Sequence, residues 1–302
     1  MPVFNGEATI EESLKSLLGQ SDGVELIAVD QGSKDRSADI LREYQDRLDI
    51  TIISAPQNKN WMQNTTLAVE NTRAQLVTML HQDDIWLPGR TKVLGQMFKA
   101  FPNAGLWVHP SDYIDDQGKK VGRIGPPFGK VAREVSSQEA LESLLVQNTI
   151  SLPAVMFRKQ DYQSYGGLDE MLWHTADWDF WLSVLTEASL AWHPRPLTGY
   201  RVHAGAITVH GTKDLRDYKE QLTIPFDRHI SGLRPPKTDQ VRKLYQASVA
   251  VNLSLAKGLH GPKSAIFGGV WQVIRLGPLY WSQFLRRTQL FQRVSSRLKL
   301  LR

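Results

Sequence analysis

The first third of the chain alternates between short apolar runs and segments in which apolar residues recur every three to four positions. The runs predict β-strands, and the spaced positions predict amphipathic helices. Predicted helices cover 7–19, 35–47 and 62–74, and predicted strands cover 24–30, 50–56 and 76–80. This alternation of strand and helix predicts an α/β fold with a mostly parallel sheet flanked by helices.

The pattern changes after Trp86. Later predicted elements are a helix within 87–102, a hairpin within 105–122 that turns at 116–118, helices over 137–147 and 177–188, and a strand over 153–158. The segment GLRPPK (232–237) has the composition of a linker. We therefore expect a first domain over 1–215 and a helical, basic C-terminal region over 216–302.

Composition narrows the functional classes. The 302 residues are 41% hydrophobic, with nine tryptophans, which indicates a folded core. The absence of cysteine excludes disulfides and thiolate metal sites, and favours a reducing, cytoplasmic compartment. Eleven of the 36 basic residues follow residue 239, where no acid occurs, whereas 1–239 contain 25 basic and 31 acidic residues. This asymmetry is not typical of a nucleic-acid-binding protein and favours an enzyme with an anion-binding surface.

Acidic residues follow two of the predicted strands. Asp30 ends the strand 24–30, and the pair Asp83–Asp84 follows the strand 76–80. Ligands bind at the carboxyl ends of parallel strands. Adjacent carboxylates repel each other unless a cation or hydrogen bonds hold them, so the pair indicates a divalent cation that also bridges a diphosphate. Alternatively, Asp84 is a helix N-cap and Asp30 only begins a turn through Gly32.

A third acidic segment is rich in aromatic residues. Asp177 and Asp179 lie among Trp173, Trp178 and Trp181. Apolar rings raise the pKa of a carboxyl group, which suits a general base. Alternatively, Asp177 is an N-cap with Asp179 in the first helical turn. The indole rings either stack on sugars or belong to the core.

Six segments occur in the order and approximate spacing found in family 2 of the glycosyltransferases, which the chain resembles over about residues 1–210. They are PVFNGE (2–7), VDQGSKDRS (29–37), LHQDDIWLPGR (80–90), GGLDE (166–170), ADWDFWL (176–182) and YRVH (200–203). The resemblance implies a GT-A-like fold and an inverting transfer of a sugar from a nucleotide diphosphate sugar.

The resemblance also implies roles for individual residues. The nucleotide base would be flanked by Pro2, Phe4, Asn5 and Glu7, and base and ribose would be contacted by Asp30 and Gln31, with Asp83 near the ribose. Arg201 would help hold the diphosphate, and Asp84 and His203 would bind the metal. Asp177 would be the catalytic base. Gln31 departs from the family pattern, which often has an acid there, and His81 stands where relatives often have another aspartate.

The implied cofactor is a divalent cation, Mn²⁺ or Mg²⁺, that stabilises the departing diphosphate. One base and one displacement give inversion at the sugar C1. The expected acceptor is a saccharide or lipid-linked saccharide in the assembly of a surface polysaccharide. An alternative from another class is a non-catalytic, membrane-docked nucleotide-sugar or glycan-binding protein of the same fold. A nucleotidyltransferase shares the acidic pair but does not explain the later segments.

The tail from about residue 240 lies outside the resemblance. On a helical wheel, Phe284, Phe291, Val294, Leu298 and Leu301 share one face, and Arg286, Arg293 and Arg297 share another. A basic amphipathic helix of this kind suits the anionic inner surface of a membrane. The alternative is a helical appendage that packs on the first domain.

One expectation concerns residues before Met1. Family members place a buried apolar strand ahead of the PVFN segment, which here follows Met1 directly. An incomplete interior strand leaves neighbouring backbone groups unpaired. The resemblance therefore predicts that the natural protein starts further upstream.

Overall fold

The computed structural model describes residues 1–20, 22–202 and 211–299. Its first layer is a parallel sheet of three strands in the order β1-β2-β3. The strands are β1 (Pro2–Val3), β2 (Leu26–Asp30) and β3 (Ile50–Ser54), and the helices that alternate with them are α1 (Ile10–Leu17), α2 (Ser37–Glu43) and α3 (Trp61–Asn71). The predicted strands over 24–30 and 50–56 and the three predicted helices are thus present with shorter bounds, whereas the predicted strand over 76–80 belongs to the second sheet and pairs antiparallel there.

The central strand β2 explains why this layer forms. All five of its residues are buried. Because side chains alternate along a strand, Leu26 and Ala28 pack in one cluster with α1 and α2, whereas Ile27 and Val29 pack on the other face with Ala68 of α3. Near the start of β2, the carbonyl oxygen of Ile27 accepts a hydrogen bond from the amino group of Met1 at 2.7 Å. The expectation of further residues upstream stays a prediction.

The second sheet is mixed, in the order β4-β10-β6-β11-β9. Its strands are β4 (Leu76–Thr78), β6 (Leu106–Val108), β9 (Arg133–Val135), β10 (Val155–Arg158) and β11 (Leu190–Trp192), and the nearby helices are α4 (Arg90–Ala100), α5 (Ser137–Leu144), α6 (Lys159–Ser164) and α7 (Ala176–Leu185). Strands β6 and β11 run parallel, and the other pairs are antiparallel. Trp107 packs on α4, while Leu106 and Val108 face the main core with α5 and α7.

A third sheet of four strands in the order β5-β12-β7-β8 carries the residues after the acidic pair. The strands are β5 (Ile85–Trp86), β7 (Ser111–Ile114), β8 (Lys120–Ile124) and β12 (Thr198–Arg201). The predicted hairpin is present as β7 and β8, and Gly118 has a positive φ of 74° in its turn. The α/β class is confirmed; the first sheet is parallel, whereas the other two mix strand directions.

The C-terminal region is helical, as predicted. Its helices are α8 (Leu215–His229), α9 (Lys237–His260), α10 (Ile266–Leu276), α11 (Pro278–Thr288) and α12 (Leu290–Lys299). Val241 and Leu244 of α9 belong to the same core cluster as α5 and α7. Arg228 of α8 bridges Asp169 and Asp179 at 2.8 and 2.9 Å. The helical region and the sheets therefore share one hydrophobic core.

The prediction of one continuous amphipathic helix in the tail is wrong. Helix α11 ends at Thr288, and Gln289 adopts a left-handed conformation (φ 51°) before α12 begins. Phe284 is fully buried, and Arg293 is buried with Nη2 donating to Oδ1 of Asn252 at 2.7 Å. The side chains of Arg297, Leu298 and Leu301 lie outside the described residues. Within the described part of the chain, no helix is both long and apolar enough to cross a bilayer.

Candidate active site

Two loops at the carboxyl end of the parallel sheet hold each other in place. Asn5 has a left-handed φ of 47°, and its Oδ1 accepts from the backbone N of Lys34 at 2.9 Å. The carboxylate of Glu7 accepts from the backbone N of Arg36 at 3.0 Å. Asp30 accepts from the hydroxyl of Ser33 at 2.5 Å. Asn5, Glu7 and Asp30 therefore shape the two loops through their own side chains.

The remaining residues predicted to flank a base differ in accessibility. Pro2 is buried in β1, whereas the side chain of Phe4 is 51% exposed beside the loops. Gln31 is partly exposed, and its Oε1 accepts from Nδ2 of Asn64 at 3.2 Å. Oδ1 of Asn64 in turn accepts from Asn58 at 2.8 Å. This chain of amides fixes Oε1 of Gln31, whose NH₂ group carries two further hydrogen-bond donors.

The acidic segment is fastened to the first loop by a residue that the sequence analysis did not single out. Oε1 of Gln82 accepts from the backbone N of Phe4 at 2.8 Å, and Nε2 donates to the carbonyl oxygen of Phe4 at 3.0 Å. The side-chain amide thus pairs with Phe4 as a neighbouring strand would. A Cβ at Gly6 would lie 2.4 Å from Oε1 of Gln82, which explains glycine at that position.

The side chain of Arg201 is buried and is held by several protein groups. Its side chain is 1% exposed and donates to the carbonyl oxygens of Asp83 and Asp115 and to the carboxylate of Glu12, at 2.8, 2.5 and 2.5 Å. Its backbone N donates to Oδ1 of Asp84 at 3.0 Å. These bonds let Arg201 position the acidic segment, and its contact with a diphosphate stays a prediction.

The two adjacent carboxylates are not equivalent. Asp84 is 2% exposed, and burial, together with the charge of Asp83, raises its pKa well above the usual range. Asp83 is partly exposed, and Arg201 holds its carbonyl oxygen. Asp83 is therefore the more accessible of the two, and the role of Asp84 as a metal ligand stays a prediction. The helix N-cap alternative does not apply, since Gly89 caps α4 and Asp84 precedes β5.

The donor set fits a divalent cation. Carboxylate oxygens are the ligands of Mg²⁺ and Mn²⁺, and Mg²⁺ is usually held by one or two carboxylates plus substrate phosphates. Among the described residues, no group of three or more candidate ligands comes together. His203, the other predicted ligand, lies outside the described residues. His81 is neutral near pH 7, because burial lowers its pKa to about 4.

Asp177 lies in the first turn of α7 and is partly exposed. Thr175 is the N-cap residue, so the alternative interpretation of Asp177 as N-cap does not apply. Oδ2 of Asp177 accepts from Nδ2 of Asn148 at 3.2 Å. Burial raises the pKa of Asp177 to about 6, above the ordinary value for aspartate. A carboxylate with this pKa can accept a proton near neutral pH.

Tyr200 of β12 links the two acidic regions. Burial raises the pKa of its phenol, and the charges of Asp84, Asp83 and Asp177 raise it further. The charges of the three predicted carboxylates therefore all reach one phenol group, although the residues are distant in sequence. Strand β12 brings Tyr200 next to the acidic pair, since it pairs with β5 directly after that pair.

Other residues of the aromatic segment are structural. Trp178 and Trp181 are buried, and Nε1 of Trp178 donates to the carbonyl oxygen of Leu144 at 2.9 Å. Asp179 pairs with Arg228 and with His229, at 2.9 and 3.0 Å. Only Trp173 of the three tryptophans is partly exposed, and its Nε1 donates to Asp217 at 2.7 Å.

Sequence comparison identifies the family. The family model described as glycosyl transferase family 2 matches residues 1–160. An uncharacterised protein of Mycobacterium tuberculosis is 31% identical over 273 residues, which cover 87% of this chain and 85% of that protein. An uncharacterised glycosyltransferase of Rickettsia prowazekii is 24% identical over 73% of this chain and 68% of its own length.

Solved structures share the fold. The S. aureus protein TarS (1–349) is 15% identical with a TM-score of 0.66, covering 99% of this chain and 87% of that chain. The mannosyltransferase PcManGT from Pyrobaculum calidifontis, in complex with GDP-Man and Mn²⁺, is also 15% identical, with a TM-score of 0.56 and coverage of 99% and 85%. The chain belongs to glycosyl transferase family 2. It is a glycosyltransferase with a GT-A-like fold.

Proposed function

We propose that this glycosyltransferase uses Mn²⁺ or Mg²⁺ to transfer a sugar, with inversion at C1, from a nucleotide diphosphate sugar to a saccharide or lipid-linked saccharide. The observation that carries the proposal is the pair of oriented acidic sites: Arg201 holds Asp83 and Asp84, and Asn148 holds Asp177. A like-charged pair and a separate carboxyl group of raised pKa suit two tasks, charge stabilisation and proton transfer.

Binding of the donor is supported by the interlocked loops. The exposed ring of Phe4 and the fixed amide of Gln31 lie on adjacent loops, tied by the bond from the backbone N of Gln31 to the carbonyl oxygen of Val3. An aromatic ring and a hydrogen-bonding amide can recognise a nucleotide base. Structural neighbours are described in complexes with UDP, UDP-GlcNAc and GDP-Man, so these nucleotides are the first donors to test.

We assign the metal contact to Asp83, with Asp84 as the buried neighbour that accepts from the backbone N of Arg201. A divalent cation bound here would act as a Lewis acid toward the departing diphosphate. Arg201 keeps the acidic segment in position by holding the carbonyl oxygen of Asp83 and the carboxylate of Asp84. Gln82 fixes the distance between this segment and the loop that carries Phe4.

The proton of the acceptor passes to Asp177. The acceptor hydroxyl oxygen forms a bond to the sugar C1 as the bond from C1 to the phosphate oxygen breaks. The hydroxyl proton goes to the carboxylate of Asp177, and the nucleoside diphosphate leaves with the electron pair. Asn148 orients the carboxylate by donating to Oδ2. A single displacement with a single base inverts the configuration at C1.

The test measures nucleoside diphosphate release from a panel of nucleotide sugars with and without Mn²⁺. We expect release to stop in excess chelator and to fall about 100-fold or more in Asp83→Asn. The matched control is Asp39→Asn, which removes an equal charge from an exposed ion pair with Arg42 on α2. Full activity of Asp83→Asn, or of the wild type in chelator, would reject the metal role. NMR coupling at the product C1 distinguishes inversion from retention.

A further inference from the structure

A stripe of large apolar side chains on α10 faces solvent. The stripe extends to the end of α9 and onto α11, and its members, all between 38% and 87% exposed, are Leu259, Ile266, Phe267, Val270, Trp271, Ile274, Leu279 and Trp281. We call these eight residues the exposed apolar face. The members on α10 are residues 266, 267, 270, 271 and 274, a spacing that places them on one side of the helix.

The packing of α10 on α9 explains why this face points outward. The opposite side of α10 contains Gly269, where an added Cβ would lie 3.1 Å from Cβ of Ser254 on α9. At Gly258 of α9, an added Cβ would lie 2.6 Å from Cγ1 of Ile266. Two glycines thus let the helices approach closely. The close contact uses the two glycines and part of Ile266, and the other large side chains stay exposed in the described part of the chain.

Four exposed cations lie on the helices and the turn that carry the exposed apolar face. Lys257, Lys263, Arg275 and Arg286 are exposed on the same helices or on the turn between α9 and α10. No acidic residue occurs from residue 240 to the end of the sequence. Trp271 and Trp281 add amphipathic rings of the kind that lie at the boundary between lipid headgroups and acyl chains.

A cavity of about 320 Å³ lies at the edge of this face. It is lined in part by Lys213, Lys257 and His260, beside the turn that leads into α10. Nε2 of His260 and Oγ1 of Thr212 lie 2.9 Å apart, which ties this turn to the residues before α8. Two lysines at the mouth of a cavity next to an apolar surface suit the phosphate of a lipid headgroup.

We propose that the exposed apolar face docks on the anionic surface of a lipid bilayer without spanning it. A second copy of this chain fits the face less well, because a symmetric pair would bring together like-charged residues such as Lys263 and Arg275. An anionic bilayer instead supplies the opposite charge and an apolar layer at once. The inference goes beyond the proposed reaction, since docking requires neither donor nor metal.

The test measures sedimentation of the full-length protein with vesicles, without any nucleotide sugar. Vesicles of phosphatidylcholine are compared with vesicles that also contain phosphatidylglycerol. We expect binding to the anionic vesicles that weakens with salt. Val270→Glu should lower the partition coefficient about tenfold or more, because it places a carboxylate in the apolar layer. Lys263→Gln and Arg275→Gln should each lower it about fivefold on anionic vesicles only.

The matched control is Val131→Glu, the same substitution at a valine that is 72% exposed in the loop before β9. Both variants should keep the wild-type melting temperature, since both sites are exposed. If Val270→Glu binds as Val131→Glu does, the face does not contact lipid. If the wild type ignores vesicles and sediments as a dimer that Val270→Glu dissociates, the face is a subunit interface instead. Both outcomes remain interpretable if the protein proves unable to transfer a sugar, because the vesicle assay contains no nucleotide sugar.

Discussion

Asp177→Asn should weaken the reaction and strengthen the fold. The substitution keeps the shape of the side chain but removes the ability to accept a proton. If Asp177 is the base, turnover should fall about 100-fold or more while donor binding is retained. The folded protein holds this carboxylate at a cost, because burial raises its pKa from 3.8 to about 6. The asparagine variant removes that cost.

The size of the stabilisation follows from the pKa shift. A difference of one pKa unit corresponds to about 1.4 kcal/mol, so the rise from 3.8 to about 6 would cost the folded state about 3 kcal/mol at most. Because Asp177 is partly exposed, about 1–2 kcal/mol is a fairer expectation. The folded-state pKa lies above the unfolded one, so stability is lost as pH rises from about 4 to about 6. The gain of the variant should therefore be complete above about pH 6 and absent near pH 4.

Two measurements test this reasoning. Thermal unfolding should show a melting temperature for Asp177→Asn that exceeds the wild type at pH 8 by about 2–4 °C per kcal/mol and equals it at pH 4. The wild-type rate should rise with pH through about 6, and this limb should be absent from the residual rate of the variant. A variant with normal turnover and the same limb would show that another group takes the proton. A variant that melts lower at pH 8 would refute the stated cost of the carboxylate.

Two further predictions concern the acidic segment. Arg201→Gln should lower the free energy of unfolding by about 3 kcal/mol, because three acceptors lose a donor. Denaturant unfolding measures this change. An unchanged stability with a raised donor KM would instead support contact of Arg201 with the diphosphate. Gly6→Ala should raise the donor KM, because the new methyl group collides with Gln82. The pair Gly6→Ala, Gln82→Ala should then be less impaired than the sum of both single variants, whereas simple additivity would contradict the proposed contact.

The sequence predicted the parts of the site that depend on local pattern. Asp30 and the pair Asp83–Asp84 could be placed because apolar runs precede them and end at a sheet edge. Asp177 could be placed because a helical pattern starts beside it. These inferences need only the periodicity of one segment at a time.

Other features depend on partners that no local pattern identifies. Arg201 and Glu12 lie 189 residues apart in sequence, so the burial of this arginine could not be foreseen from the YRVH segment. The pairing of Gln82 with the backbone of Phe4 spans 78 residues. The tail helix was misjudged for a local reason, because Gln289 in a left-handed conformation interrupts a periodicity that otherwise continues.

The core shared between the sheets and the C-terminal helices has a consequence for how the protein unfolds. Val241 and Leu244 of α9 complete the cluster that holds α5 and α7, and α7 carries Asp177. The helical region is therefore part of one cooperative unit, and heat or denaturant should melt it together with the site. Cutting the chain before α9 would uncover apolar side chains next to the proposed base. Surface substitutions can thus test the exposed apolar face and the reaction separately, whereas deletion would disturb both.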